Sequence, residues 1–189
     1  ASMGLISLLV VAIMALALRM AALQSDLGEA NQSRYQSYLL ADELRQSSDD
    51  LTRLARTYVV TKDERYKKMY FDVVDIRAGE KPRPTDYYAI YWDLMVDYGE
   101  KPRPDSATRE DLIKLMKAAG FSEREMAFLE ESKANSDALI HTETVAMNAV
   151  EGIFSDERGE FSVRAEPDQA LAIRIMHDVG YHREKARIM

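Results

Sequence analysis

At 189 residues, with 47% hydrophobic and 30% charged side chains, the chain is long enough to bury a core and lacks the composition of a disordered segment. Its net charge of −7 comes from interspersed charges of both signs, which argues against nucleic acid as a partner because no basic stripe is present to neutralise phosphates. The absence of cysteine excludes disulfides, thiolate nucleophiles and cysteine-based zinc sites, and only 8 Gly and 5 Pro among stretches rich in Ala, Leu, Glu, Lys and Met favour an all-α fold.

Ala1-Ser2-Met3 reads as a cloning remnant. The run LISLLVVAIMALAL then extends from Leu5 to Leu18 without a charge and stays apolar past Arg19 to Leu23. Residues 4–23 are close to the roughly 20 needed to cross a bilayer. They predict a transmembrane segment, with Arg19 snorkelling to an interface. A cleaved signal peptide would need a basic leading region and a small-x-small site, which are missing; a buried core helix is the other alternative. Without a linker the pattern becomes amphipathic. Ala30, Ser37, Leu44, Leu51 and Tyr58 occupy one position of a seven-residue repeat and Ser33, Leu40, Ser47 and Leu54 the other. Such a seam predicts packing in a bundle or a dimer. Arg45, Asp49 and Arg53 have the spacing of surface ion pairs.

TKDE predicts that Thr61 caps a second helix, with Glu64 completing a capping box. Tyr66, Met69, Tyr70, Val73 and Ile76 line one face of that helix until Gly79. A third helix opens at Thr85, with Tyr87, Tyr91, Leu94 and Tyr98 in one stripe and Tyr88, Trp92 and Met95 in another. A fourth helix runs from about Ala107 to Ala119 with Leu112, Leu115 and Met116 inward. Ser122 and Glu125 form a second capping box for a long fifth helix whose Met126, Leu129, Ile140, Met147, Val150 and Phe154 face the core. A charged loop follows, then a helix with Pro167 in its first turn that ends at Gly180. The last helical pattern, YHREKARIM, stops without a cap, as expected of a chain truncated inside a larger domain.

The hexapeptide GEKPRP occurs twice, at Gly79–Pro84 and Gly99–Pro104. In each copy Gly suits a left-handed helix end, the cations suit a helix C-terminus and Pro forbids continuation. Thr85 and Asp105 stand where they can cap the next helix. A third helix spanning the whole interval would hold Lys81 and Arg83 roughly 20 Å from Lys101 and Arg103, too far for one small ligand. The copies therefore read as two helix stops framing the third helix, which leaves the long first and fifth helices as the better place for a ligand.

Catalytic machinery is not visible, and no enzyme, metal or cofactor is expected. His177 and His182 are spaced for neither one helix face nor a metal motif, and His141 suits a surface position. GxSxG, GxGxxG, HExxH and a phosphate-binding loop are all missing. Binding needs less, because a few polar groups on an apolar wall suffice. The candidates are Arg53, Arg56 and Tyr58 on the first helix, Tyr91 and Trp92 on the third, and Asn135 and Asn148 on the fifth. Each has a plainer reading. The aromatics suit core packing, the arginines a solvated face, and the asparagines hydrogen bonds across the bundle.

RYQSYLLADELRQSSDDLTRLARTYVVT, ERYKKMYFDVVDIRAGEKPRP, YYAIYWDL and LMKAAGFSEREMAFLEESKANSDALIHTETVAMNAVEG together resemble the extracytoplasmic sensor region of bacterial transmembrane receptors of the methyl-accepting chemotaxis protein type, an arrangement that histidine kinases and cyclases share. The likeness runs from about Leu23 to Met189. It implies that residues 24–189 form a periplasmic helical sensor domain, homodimeric and held at the inner membrane, that responds to a small-molecule ligand or a periplasmic binding protein. The rival expectation is a membrane-tethered helical adaptor that binds another protein and no small molecule.

Overall fold

The computed structural model of the chain describes residues 2–87 and 90–188. Ala1, Tyr88, Ala89 and Met189 lie outside the described residues, as do the side chains of Ser2, Leu5 and Tyr98. The chain divides into two compact units, Ala1–Tyr38 and Leu39–Met189, and helix α1, Ser2–Thr61, supplies residues to both. In the first unit α1 carries a segment long and apolar enough to cross a membrane. Leu8, Val11, Ile13, Leu16 and Leu18 are all exposed there. Such side chains cost about 25 cal/mol per Å² in water and nothing comparable in lipid.

In the second unit the rest of α1 is followed by α2 (Glu64–Ala78), α3 (Tyr91–Tyr98), α4 (Leu112–Ala118), α5 (Glu123–Val150), β1 (Ile153–Phe154), β2 (Val163–Arg164), α6 (Gln169–His177) and α7 (Val179–Ala186). The fold is essentially all-α, as the composition requires. Leu51, Leu54 and Tyr58 of the predicted seam pack in one core with Met69, Tyr70, Val73 and Ile76 of α2 and Leu139, Met147 and Val150 of α5. Leu44 joins a smaller cluster with Leu112, Met116 and Met126. The earlier seam residues Ala30 and Ser33 are exposed. Arg45 meets Asp49 at 3.1 Å as its spacing predicts, but Arg53 turns to Asp50 and, across to α3, to Asp93.

Several boundaries differ from the sequence reading, each for a local reason. Thr61 belongs to the last turn of α1, and Lys62 takes the left-handed conformation that ends it (φ 59°). The cap of α2 is Asp63, which accepts the Arg65 N–H at 3.0 Å. Asp63→Ala should therefore cost about 1 kcal/mol in chemical denaturation. Thr61→Ala should cost clearly less, and the reverse order would restore Thr61 as the cap. Ser122 and Glu125 do form the predicted capping box. The helix expected to end at Gly180 breaks earlier, at Asp178, whose extended backbone (ψ 169°) ends α6 and whose carboxylate caps α7 through the Tyr181 N–H. Gly180 lies inside α7. Pro167 precedes the α6 cap, Asp168, and is not in its first turn. The predicted loop before it holds a short antiparallel hairpin, Ile153 opposite Arg164 and Phe154 opposite Val163.

The largest departure concerns the repeats. Gly79 and Gly99 end α2 and α3 in the left-handed region (φ 79° and 71°), as helix stops should. But α3 starts at Tyr91, not Thr85, and is 8 residues long. The freed chain lets the two copies pair. Pro84 bridges Asp105 antiparallel, the Thr85 N–H donates to Pro104 O at 3.0 Å, the Arg83 N–H to Thr108 O at 3.0 Å and the Ser106 N–H to Arg83 O at 2.8 Å. Thr85 and Asp105 consequently cap nothing. This pairing also holds residues 107–110 out of α4, which starts at Leu112 behind the cap Asp111. The repeats lie side by side, and the 20 Å separation expected from a longer third helix does not arise.

Candidate functional site

The paired repeats form one wall of a cavity of about 430 Å³. The first copy contributes Lys81, Pro82 and Pro84, and the second Gly99, Glu100 and Lys101. Helix α3 adds Tyr91, Trp92 and Met95, and α2 adds Lys68, Asp72 and Ile76. Proline rings and aromatic faces are rigid, so little side-chain entropy is lost when a ligand lies on them. The aromatic wall is further fixed by edge-to-face packing. The centroids of Tyr91 and Trp92 lie 5.0 Å apart and those of Tyr87 and Tyr91 5.6 Å apart, and Trp92 Nε1 donates to the Tyr87 hydroxyl at 3.1 Å. Burial pushes the Tyr87 and Tyr91 hydroxyls above their ordinary range, so this wall carries no charge near neutrality.

The charged part of the lining is balanced. Lys81 reaches Asp72 at 2.6 Å and Asp75 at 2.7 Å, and Lys101 reaches Asp105 at 2.5 Å. Hydrogen bonds to Asp72 and then Asp75 hold the Lys81 ammonium above its usual value and keep it charged. Among the described residues, Lys68 and Glu100 line the cavity without an ion pair or a side-chain hydrogen bond. A smaller cavity of about 110 Å³ shares Lys68, Met95 and Gly99 with the larger one and adds Arg65, Tyr66, Met69 and Val96.

Of the seven residues singled out from sequence, Tyr91 and Trp92 line this cavity. The others are not gathered there. Arg53 joins α1 to α3 through Asp93 at 3.0 Å. Arg56 donates from Nε to Met176 O at 3.0 Å and stacks 5.0 Å over the Tyr181 ring. The Tyr58 hydroxyl lies 2.6 Å from Glu151 Oε1 and 3.2 Å from Glu64. Asn135 is half-buried and donates to Arg187 O at 3.3 Å, while Asn148 is half-buried near the end of α5. The first four join elements of the second unit at their own places. Arg56 is half-buried against Met176 and Tyr181, while the Arg53 side chain stays 37% exposed beside a 60% exposed Asp93, close to the solvated face of its alternative reading.

The cavity was missed because its wall depends on long-range pairing between two segments without regular structure. A second group was missed although its signal was visible. Glu143 is 1% exposed, at the centre of the bundle. It stands four residues after Leu139 and four before Met147, on the buried stripe of α5, where an acid is anomalous. Tyr70 and Tyr181 donate to its two oxygens at 2.6 Å each, and the Tyr181 hydroxyl lies 2.9 Å from Thr52 Oγ1, which donates to Ser48 O at 3.1 Å. Burial raises the Glu143 carboxyl above the usual range, opposed by the two tyrosines and by Lys185 and Arg77. In its neutral form every proton of this chain finds its own acceptor. Tyr70 donates to one oxygen, the carboxyl O–H to Tyr181, Tyr181 to Thr52, and Thr52 to Ser48 O. The network spans α1, α2, α5 and α7.

No protein-family model, curated protein or solved structure matches the chain.

Proposed function

We propose that the chain is the extracytoplasmic, periplasmic sensor portion of a bacterial inner-membrane signalling receptor, of the chemotaxis type, and that its ligand enters the cavity between the paired GEKPRP copies. The observation that carries this reading is the cavity, about 430 Å³, with a rigid aromatic and proline wall and charges of both signs. Its volume falls within the roughly 300–1,000 Å³ of small-molecule pockets. A helix able to cross a membrane supports the anchoring. The adaptor alternative calls for an exposed apolar patch on α2 to α4, and among the described residues from 64 to 118 only Phe71 and Ile90 are large apolar side chains left exposed.

Signalling would work by differential binding. A ligand that prefers one arrangement of the helices shifts the equilibrium by its difference in affinity, typically about 1–3 kcal/mol. Helix α3 presents Tyr91 and Trp92 to the cavity and Asp93 to Arg53 of α1, so a shift in α3 is felt by the helix that also carries the apolar segment.

The chain has one tryptophan, and it lines the cavity, so its emission reports occupancy directly. The chain in detergent, screened against organic acids, amino acids and amines, should give a compound that shifts Trp92 emission and raises the melting temperature. At 100 times its dissociation constant such a compound adds about 2.7 kcal/mol, roughly 5–10 °C for a domain of this size. A folded chain that no compound stabilises would reject direct small-molecule sensing.

A further inference from the structure

We infer that the cavity recognises a zwitterion of amino-acid size with an apolar side chain, its carboxylate held by Lys68 and its ammonium by Glu100. This rests on the sensor reading of the cavity and names the chemistry that reading leaves open. Three lysines and three carboxylates line the space, so the wall as a whole is neutral. Four of those six charges are already paired across it, Lys81 with Asp72 and Lys101 with Asp105. What remains is one cation on α2 and one anion just after the end of α3, neither with a partner among the described residues.

A simple anion would gain Lys68 but meet Glu100, Asp72 and Asp105 in the same space. A simple cation would gain Glu100 but meet the three lysines. Each therefore exchanges one favourable charge contact for unfavourable ones of similar range. A zwitterion satisfies both free groups and leaves the existing ion pairs intact. The body of the ligand would then lie on Trp92, Tyr91 and Met95, and the adjoining small cavity, walled by Tyr66, Met69 and Val96 with Arg65 held at its edge by Asp63, offers its side chain a mostly apolar slot. Because Lys68 and Glu100 sit on different elements, the two ends of the ligand would draw α2 towards the end of α3.

The test uses the whole chain in detergent, with Trp92 emission as the readout. L-leucine and L-methionine are compared with 4-methylpentanoic acid and 3-methylbutylamine, which each lack one of leucine's charged groups. The expected result is saturable binding of an amino acid, with both single-charge analogues at least about 10-fold weaker. Lys68→Ala should weaken leucine and the acid but not the amine, and Glu100→Ala should weaken leucine and the amine but not the acid. Both residues are exposed, so neither change should unfold the protein, which melting curves would verify. If either analogue binds as tightly as leucine, or if only non-zwitterions from the broad screen bind, the zwitterion assignment fails while the sensor reading stands. If nothing in the broad screen shifts emission or melting, the sensor reading fails with it.

Discussion

Replacing Glu143 by alanine should lower the melting temperature by roughly 10 °C or more, whereas Glu143→Gln should stay within about 1 kcal/mol of the wild type near pH 5. Alanine leaves the Tyr70 hydroxyl without its acceptor and the Tyr181 oxygen without its donor in the core, and opens a cavity. Each unsatisfied hydroxyl costs about 1–3 kcal/mol, so the total should reach about 3–5 kcal/mol. Glutamine keeps an acceptor for Tyr70 and a donor for Tyr181, the pattern of the neutral acid. The pH dependence then separates the two. Burial raises the folded-state value of Glu143 above its ordinary 4.5, so between the two values the folded state binds more protons than the unfolded one. Its contribution is complete below about 4.5 and is lost as pH rises through the folded value. The melting temperature of Glu143→Gln relative to wild type should accordingly climb as pH is raised above about 4.5. Comparing the two proteins matters, because burial also raises Glu43 and Asp50 with the same sign, and both variants share those groups. A difference that stays flat from about pH 4.5 to 8, or moves the other way, would mean that Glu143 is ionised in the fold.

The heptad, the second-helix stripe and the Ser122 capping box were legible because each depends on residues within one or two turns of each other. The periodicity of Leu44, Leu51, Leu54 and Tyr58 dictates which face of α1 is buried, whatever covers it. The ends of α3, α4 and α6 were less legible. At each of them two local signals compete, Thr85 with Tyr91, Ala107 with Asp111 and Asp178 with Gly180, and long-range pairing or a better-placed carboxylate decides between them. The cavity was the least legible feature. Its aromatic residues stood out, but Lys68, Glu100 and the prolines gain meaning only once Pro84 meets Asp105. Arg77 and Glu143 occupy an intermediate class. Each continues a buried stripe with a charged residue, and following the stripe without regard to polarity would have found both. In the fold, Arg77 is 3% exposed and bonds Ser136 at 2.8 Å and Asp137 at 2.7 Å.

The two repeat glycines, alike in sequence and backbone angle, should respond differently to the same substitution. Gly79→Ala and Gly99→Ala both force a side chain into the left-handed region, a penalty of about 1–2 kcal/mol. At Gly99 no described residue comes within 4 Å of the added Cβ, so that penalty should be the whole effect. At Gly79 the Cβ would stand 2.6 Å from Asp111 N and 2.6 Å from Glu110 C. Both are backbone atoms, and Asp111 is the cap of α4, so neither can swing aside as a side-chain tip could. Relief requires α4 and its cap to move away from the end of α2, which adds about 1–3 kcal/mol of overpacking. Gly79→Ala should therefore cost roughly 2–5 kcal/mol in all, about 1–3 kcal/mol more than Gly99→Ala in chemical denaturation. Equal costs would mean that the backbone at 110–111 does not close over the first repeat. A selective loss at Gly79 would instead show that a motif written twice serves two ends. Gly99 only stops a helix, while Gly79 stops a helix and seats the segment that follows the second copy.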